Sequence, residues 1–243
     1  PLPFPRTRLH ELVLQTCAAS GRRDASVRFW LTRGPGDFGI VPAPASEACF
    51  YVLVMEGFPM KPEWVDQGIA EVTVSTVPFK PALLATIKSN NYLLNVLTAM
   101  DARDRGGVFG IQLDGDRVLE GCVCNVALVD RHRRFRTPQF TDILKGTTVR
   151  RAMEIAGGLV QQGLVTAVET GDVVLDDLYG ADELMILAGD THIFPIVSLD
   201  GRTIGQGTSK GQPGPVWRAI QAAVQRELQA GTGDNFVDVP YGE

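Results

Sequence analysis

The stretch that decides the fold is Ile87-Lys88-Ser89-Asn90-Asn91-Tyr92-Leu93, and Leu119-Glu120-Gly121 follows it further along the chain. A lysine amine can form a Schiff base with an aldehyde cofactor, and a carboxylate can keep a pyridine nitrogen protonated. The chain holds only five lysines, namely Lys61, Lys80, Lys88, Lys145 and Lys210. Only Lys88 and Lys145 stand just ahead of a long helix-like stretch. Lys88 and Glu120 are therefore candidates for one shared site.

Size and composition describe an ordinary globular protein. The 243 residues are 44% hydrophobic and 21% charged, with a net charge of −5, which predicts a sizeable core and a soluble chain. The acidic balance favours an exposed turn over a nucleic-acid-binding surface at the basic run of residues 131–136. No apolar run reaches the length of a bilayer span, and no signal peptide is visible. We therefore expect neither nucleic acid nor a membrane as a partner.

The cysteines and histidines indicate a reducing compartment and no metal site. Four scattered cysteines are too few for a disulfide framework. Cys122 and Cys124 lie in an apolar run, where strand alternation would place both side chains on one face. The three histidines show no spacing typical of metal ligands.

The front of the chain has the pattern of a small lobe. Residues 7–19 carry apolar side chains at helical spacing, and Thr7 is the predicted N-cap. Residues 27–31 alternate between apolar and other side chains, and residues 49–55 form an uninterrupted apolar, aromatic and β-branched run. Both segments are typical of strands.

Prolines mark a boundary after this lobe. Pro59, Pro62 and the polar stretch that follows interrupt the apolar pattern. The second lobe then alternates between strand-like and helix-like segments, with strands predicted near residues 69–75, 108–113, 118–120, 124–129, 165–169, 184–187 and 193–197. Helices are predicted at residues 92–103, after Gly146 and from Pro215. We therefore predict a mixed α/β (α+β) chain with lobes at residues 1–64 and 65–243.

Four motifs in the second lobe occur in one order. They are Ile-Lys-Ser-x-Asn-Tyr-Leu at 87–93, Glu-Gly-x-x-x-Asn at 120–125, Leu-Lys-Gly-x-Thr-x-Arg at 144–150 and Asp-Glu-Leu at 182–184. In this set the chain resembles the fold-type IV pyridoxal-phosphate enzymes, the class IV aminotransferase family. That family holds branched-chain and D-amino-acid aminotransferases and aminodeoxychorismate lyase. The resemblance runs from residue 32 to the last helix, and it implies the family's two-lobed fold and pyridoxal 5'-phosphate as cofactor.

The resemblance also implies roles for single residues. Lys88 would hold the cofactor as a Schiff base and move the proton at the substrate Cα. Glu120 matches the acidic partner of the pyridine nitrogen, and Tyr92 matches the tyrosine that contacts the ring oxygen. Leu144 matches the residue that packs on one face of the ring, and Asn125 closes the second motif.

Phosphate binding is expected where a helix begins, because amide donors and the helix dipole favour an anion there. Gly146, Thr147 and Thr148 open a predicted helix. The resemblance places Gly189 and Asp190 at a second phosphate-binding turn. Family members usually carry a neutral residue at the place of Asp190. A carboxylate there would repel phosphate, although its backbone amide could still serve.

The sequence features that bear on the substrate point to two different classes of enzyme. Arg33, in Thr32-Arg33-Gly34, resembles the arginine that receives the substrate carboxylate in bacterial D-amino-acid aminotransferases. Pro35 replaces the histidine that accompanies it there, and the glycine-rich loop up to Gly39 is closer to aminodeoxychorismate lyases. The resemblance thus implies an aminotransferase that uses D- or branched-chain amino acids and 2-oxo acids. The alternative is a 4-amino-4-deoxychorismate lyase that yields p-aminobenzoate and pyruvate for folate synthesis.

The start of the chain adds a further alternative. The sequence begins Pro-Leu-Pro-Phe-Pro without an initiator methionine, and the arginine that grips the cofactor phosphate in the family's small lobe has no counterpart. We therefore expect an incomplete N-terminal lobe. The third hypothesis is an inactive truncated homologue. By resemblance we also expect a homodimer. Plant-like motifs such as Gly214-Pro215-Val216 favour a plastid location.

Overall fold

The computed structural model describes residues 2–36, 39–41, 47–57, 61–189, 191–207, 210–233 and 235–242. Its mixed α/β chain divides into two compact units, residues 1–60 with 231–243, and residues 61–230. The predicted lobes end at residue 64 and assign the whole C-terminus to the second lobe. The tail groups instead with the first unit, where the Tyr241 hydroxyl donates to the carbonyl of Arg22 at 2.5 Å. The guanidinium of Arg23 also lies 4.6 Å from the centre of the Tyr241 ring.

The first unit contains one helix and an antiparallel strand pair. Helix α1 spans Arg6–Ser20, and strands β1 and β2 span Ser26–Thr32 and Cys49–Met55. The strands are paired from Ser26 opposite Met55 to Thr32 opposite Cys49. The predicted N-cap at Thr7 is wrong, because α1 already begins at Arg6 after Pro5. Proline suits that place since its φ is fixed and it lacks a backbone donor.

The larger sheet of the second unit forms the core. Its strands are β3 (Ile69–Glu71), β7 (Cys124–Val129), β8 (Arg134–Pro138), β9 (Ala167–Gly171), β10 (Glu183–Ala188), β11 (Ile193–Leu199) and β12 (Arg202–Thr203). Their order is β12-β11-β10-β7-β8-β9, and β3 lies parallel to β11. Strand β7 is buried along its whole length. Apart from Asn125 its residues are apolar, which is explained by burial on both faces.

A smaller sheet contains β4 (Thr73–Val74), β5 (Ile111–Asp114) and β6 (Arg117–Gly121). The strands predicted near residues 69–75 are therefore β3 and β4, which belong to different sheets. Two carboxylates hold the backbone at this place. The buried Glu71 side chain accepts hydrogen bonds from the amides of Val108, Phe109 and Gly110, and Asp200 accepts one from the Thr73 amide at 2.9 Å.

Six helices of the second unit are described: α2 (Pro62–Asp66), α3 (Ala82–Ala85), α4 (Leu93–Asp104), α5 (Thr147–Gln161), α6 (Leu175–Tyr179) and α7 (Pro215–Ala230). Helices α5 and α7 contribute apolar side chains to the same core cluster as β7 and β10. The Glu183 carboxylate on β10 accepts hydrogen bonds from the amides of Val216 and Trp217, both at 2.8 Å. A carboxylate from a core strand therefore caps the first turn of α7.

The basic run at residues 131–136 is not simply an exposed turn, as the sequence suggested. Its second half is strand β8, in which Phe135 is fully buried. Arg134 pairs with Asp130 at 2.7 Å, and Arg136 pairs with Asp177 at 2.9 Å. These arginines therefore neutralise acidic neighbours, which a count of positive charges along the chain does not show.

The cysteines, the potential metal ligands and the helices of the described residues bear on the expectations from sequence. The four cysteines are all free thiols, and Cys122 and Cys124 are buried. No group of three or more metal-ligating side chains occurs among the described residues. Within those same ranges, no helix combines the length and the apolar character that a bilayer crossing requires.

Candidate active site

A cavity of about 330 Å³ in the second unit collects most of the predicted site residues. This volume is within the range of small-molecule sites. The predicted residues that line it are Lys88, Tyr92, Glu120, Asn125, Leu144, Thr147, Thr148 and Gly189. The first and the last of these residues are more than one hundred positions apart in sequence, so the fold itself brings the set together.

The two sheets and two helices explain how these residues meet. Lys88 lies in the loop between α3 and α4, and Glu120 lies near the end of β6. Asn125 on β7 is paired with Leu187 on β10, so Gly189, just after β10, reaches the same end of the larger sheet. Thr148 lies in the first turn of α5. Each of these residues thus reaches the cavity from a loop or from the end of a regular element.

Lys88 and Tyr92 are in direct contact. The Lys88 Nζ donates a hydrogen bond to the Tyr92 hydroxyl at 2.7 Å. Tyr92 precedes the first residue of α4 and stands at its N-cap position. The tyrosine hydroxyl therefore holds the lysine amine at one place on the cavity wall.

Glu120 is a buried carboxylate with only 6% of its surface exposed. Burial raises the pKa of Glu120 to about 7, because a charged carboxylate is poorly solvated there. The Leu144 amide, which donates to Glu120 Oε2 at 3.1 Å, opposes this rise, and so do the charges of Lys80 and Lys88. The carboxyl can therefore change its charge near neutral pH.

Asn125 fixes the turn that leads into α5. Its Nδ2 donates to the carbonyl oxygen of Leu144 at 2.9 Å. Gly146 packs so closely on the Asn125 side chain that a Cβ at position 146 would collide with Oδ1. Glu120 and Asn125 thus hold the Leu144 backbone from two sides, one by its amide and one by its carbonyl.

The first turn of α5 is open toward the cavity. Gly146 is its N-cap residue, and among the described residues no side chain caps this end. Thr147 and Thr148 belong to the cavity lining and carry hydroxyl groups. Unpaired amides and the positive end of the helix dipole favour an anion at such a place.

Lys80 and Asn95 are polar residues of the cavity lining that lie outside the four motifs, and sequence reasoning missed them. Asn95 donates from Nδ2 to the carbonyl of Cys122, and its buried Oδ1 has no partner in the described part of the chain. The available signal was its spacing of three residues from Tyr92, the N-cap residue of α4, which places Asn95 in the first turn of that helix. Lys80 gave no signal beyond being one of five lysines.

Two predicted site residues are not among the described residues that line the cavity. Arg33 is a residue of the first unit, just after β1, and its role toward a substrate stays a prediction. Asp190 lies outside the residues that the structure describes. The assignment of the second phosphate-binding turn to Asp190 therefore also stays a prediction.

Comparison with known proteins connects this site with one family. A family model for amino-transferase class IV matches residues 1–199. The chain is 35% identical over 244 residues to a D-amino-acid transaminase, chloroplastic, of Arabidopsis thaliana, and the match covers 99% of this chain. The chain spans 63% of that relative's length.

Solved structures show the same fold. A branched-chain amino acid aminotransferase from T.th., in a crystal structure with pyridoxamine 5'-phosphate, is 25% identical, with a TM-score of 0.82 over 97% of this chain and 75% of that chain. The 4-amino-4-deoxychorismate lyase of Pseudomonas aeruginosa is 26% identical, with a TM-score of 0.75 over 93% of this chain and 79% of that chain.

Proposed function

Because the chain belongs to the class IV amino-transferase family, we propose that it is an aminotransferase that uses pyridoxal 5'-phosphate. It would move an amino group between an amino acid of the D- or branched-chain type and a 2-oxo acid. The observation that carries this proposal is the cavity that joins Lys88, Glu120 and the open end of α5. The names of its relatives support the amino-acid class.

The residues present fit the cofactor. Lys88 offers a primary amine for the aldehyde, and Glu120 offers a buried carboxylate for the ring nitrogen. The first turn of α5, with Thr147, Thr148 and nearby Gly189, offers amides and hydroxyls for the phosphate. When bound, the cofactor supplies the carbonyl that condenses with an amine and the ring that accepts electrons from Cα.

We propose two tasks for Lys88. Its Nζ would attach the cofactor and, as a free amine, would accept the proton from the substrate Cα. The hydrogen bond to Tyr92 holds the free amine in place for the second task. Tyr92 can in turn donate its own proton to an oxygen of the cofactor ring.

The other side chains position the reacting groups. Asn125 and Glu120 hold the Leu144 backbone, and this fixes the distance between the carboxylate and the open end of α5. Leu144 belongs to the cavity lining, where its side chain can pack on one face of the ring. For Arg33 we propose the substrate carboxylate as its ligand, since a guanidinium pairs with a carboxylate through two hydrogen bonds.

A second candidate is a lyase that releases pyruvate from 4-amino-4-deoxychorismate. The similarity to the Pseudomonas aeruginosa lyase over most of the chain favours it. Both activities need the same Lys88 amine, and they differ in the bond that breaks afterwards. A lyase would form pyruvate without an added amino acceptor.

The experiment that separates these functions is a substrate panel on the purified protein loaded with pyridoxal 5'-phosphate. An aminotransferase converts a 2-oxo acid into its amino acid only when a D- or L-amino donor is added. Release of pyruvate from 4-amino-4-deoxychorismate alone would establish the lyase. A protein that takes up no cofactor would contradict both activities and leave the inactive homologue.

We also propose that two copies of the chain associate through α4. Four apolar side chains at helical spacing form one exposed surface of this helix: Leu93 (67%), Val96 (51%), Leu97 (40%) and Met100 (45%). We call this surface the α4 apolar face. Adjacent exposed apolar side chains favour burial against a partner, and we propose a second copy of the chain as that partner.

For the cellular location we propose the plastid. The chloroplastic relative from Arabidopsis thaliana supports this. A fluorescent fusion to the full gene product, expressed in leaf cells, should co-localise with chlorophyll, and a uniform cytosolic signal would contradict the proposal.

A further inference from the structure

Two lysines of the cavity lining, Lys80 and Lys145, have no task in the proposed chemistry. Three lysines line the cavity, Lys80, Lys88 and Lys145, while Glu120 is the carboxylate among its described lining residues. Lys80 is half-buried in the segment between β4 and α3, and a proline on either side of it, at positions 78 and 81, restricts the backbone. The backbone therefore holds this lysine at the cavity wall.

The titratable groups around Glu120 come from several elements. They are Lys80, Lys88 and Tyr92 on the segments before α4, Cys122 and Cys124 between β6 and β7, and Lys145 before α5. Burial raises the pKa of Cys122 to about 12 and that of Cys124 well above its usual value. Both thiols are therefore neutral, and the ammonium groups supply the opposite charge near Glu120.

Of the two lysines that act on Glu120, Lys80 has the larger electrostatic effect. Lys145 instead lies 5.8 Å from the centre of the Phe140 ring. Lys88 has a different task in the proposed function, because its amine is used to attach the cofactor. Lys80 is then the lysine of the described cavity lining whose charge acts on Glu120 and that has no other task in the proposed function.

We propose that Lys80 is a positioning residue of this site, whose ammonium group holds Glu120 as a carboxylate for the ring nitrogen of the cofactor. The inference rests on the proposed function. It gives a role to a lysine that no motif of the sequence identifies. Lys80 itself touches neither the reacting carbon nor the proton that is moved.

The charges determine the direction in which replacing Lys80 changes the pKa of Glu120. With a pKa of about 7, Glu120 changes its ionisation near neutral pH. A nearby positive charge favours the ionised form, so replacing Lys80 by a neutral residue raises the pKa of Glu120 further. At pH 7 the variant would then carry a mostly protonated Glu120, while at pH 9 the carboxyl would ionise in both proteins.

The first test follows Glu120 in the protein without cofactor. The side-chain carboxyl signals of ¹³C-labelled glutamate are titrated by NMR, and Glu120→Gln identifies the signal of interest. We expect Lys80→Met to raise the midpoint by roughly one pH unit, whereas Lys80→Arg keeps it near the wild-type value. Lys210→Met, which removes an exposed lysine outside the cavity lining, is the control. An unchanged midpoint in Lys80→Met overturns the proposal.

The second test measures the dissociation constant of pyridoxal 5'-phosphate at two pH values. Lys80→Met should bind roughly fivefold more weakly than wild type at pH 7 and about equally at pH 9. Equal weakening at both pH values would indicate a packing role and overturn the inference. If the wild type binds no cofactor while the NMR midpoint moves as expected, the proposed function fails and the pairing of Lys80 with Glu120 stands.

Discussion

At the scale of single residues, the site depends on how a few backbone groups are held. Leu144 donates its amide to Glu120, and its carbonyl accepts from Asn125. Lys88 is held by Tyr92. The four motifs identified these residues as candidates, but the sequence could not show that the Asn125 side chain binds the backbone carbonyl of Leu144. Lys80 was missed because no periodicity or spacing connects it with Glu120, and only the folded chain brings the two charges together.

Glu120 makes stability depend on pH. Burial raises its pKa from an ordinary value of 4.5 to about 7, so the folded state binds the proton more tightly than the unfolded state. The stabilisation is fully present below pH 4.5 and is lost as pH rises through 7. The prediction concerns the protein without cofactor. We expect the stability advantage of wild type over Glu120→Gln, measured as the difference in free energy of unfolding, to fall by up to roughly 3 kcal/mol between pH 4.5 and pH 8.

Urea denaturation at a series of pH values measures this difference. A difference between wild type and Glu120→Gln that does not change with pH would show that this carboxyl is not desolvated in the folded protein.

Gly146 is sensitive to a single added carbon. A Cβ there would collide with Asn125 Oδ1, so Gly146→Ala should move the turn that precedes α5. We expect a loss of about 1–3 kcal/mol in stability and weaker binding of pyridoxal 5'-phosphate, measured by urea denaturation and by absorbance titration.

A glycine of the same helix provides the matched control. A Cβ on Gly157, in the middle of α5, would meet nothing within 4 Å. Gly157→Ala should therefore stabilise the protein by up to about 1 kcal/mol without affecting cofactor binding. Equal changes in stability and in cofactor binding for Gly146→Ala and Gly157→Ala would contradict the close packing assigned to Gly146.

At the scale of elements, the apolar pattern predicted most of the second unit. Strands β2 and β7 coincide with the predicted residues 49–55 and 124–129. Strand β8 was missed because Arg134 and Arg136 alternate with its buried residues and resemble a surface turn. The strands predicted near residues 69–75 belong to two different sheets, because Glu71 accepts hydrogen bonds from amides at residues 108–110 and Asp200 accepts one from the Thr73 amide. In both places the charged side chains have partners that are distant in sequence, which the sequence pattern does not show.

The carboxylate of Glu183, which caps α7, makes another contact between residues that are distant in sequence. Glu183→Ala would leave the amides of Val216 and Trp217 without their acceptor. We expect a loss of about 2–3 kcal/mol in the free energy of unfolding, measured by urea denaturation. Glu169→Ala, an exposed substitution in the same sheet, should change it by less than about 0.5 kcal/mol. Equal effects would mean that Glu183 does not stabilise this helix.

At the scale of the whole molecule, the sequence predicted two parts and the family's fold. It could not predict that residues 231–243 group with the first unit, because the contact between Tyr241 and Arg22 spans more than two hundred positions. The motifs also led to the cavity of the second unit, where eight predicted residues meet. Arg33 belongs to the other unit, so the substrate clue from sequence concerns a different part of the chain.

The proposed dimer is tested by one charge on the α4 apolar face. Leu97→Asp should shift the sedimentation mass from two chains to one, because burial of an unpaired carboxylate is strongly unfavourable. Leu228→Asp introduces the same charge at an exposed leucine of α7 and should leave the dimer intact. Equal masses for both variants would show that copies do not associate through α4.

The central claim is that Lys88 is the amine that attaches the cofactor. Its most direct test is reduction of the protein loaded with pyridoxal 5'-phosphate by borohydride, followed by peptide mass spectrometry. We predict one pyridoxyl-phosphate group, on the peptide that contains Lys88, and none on that peptide in Lys88→Ala. A label on Lys80 or Lys145 in the wild type, or no label at all, would contradict the claim.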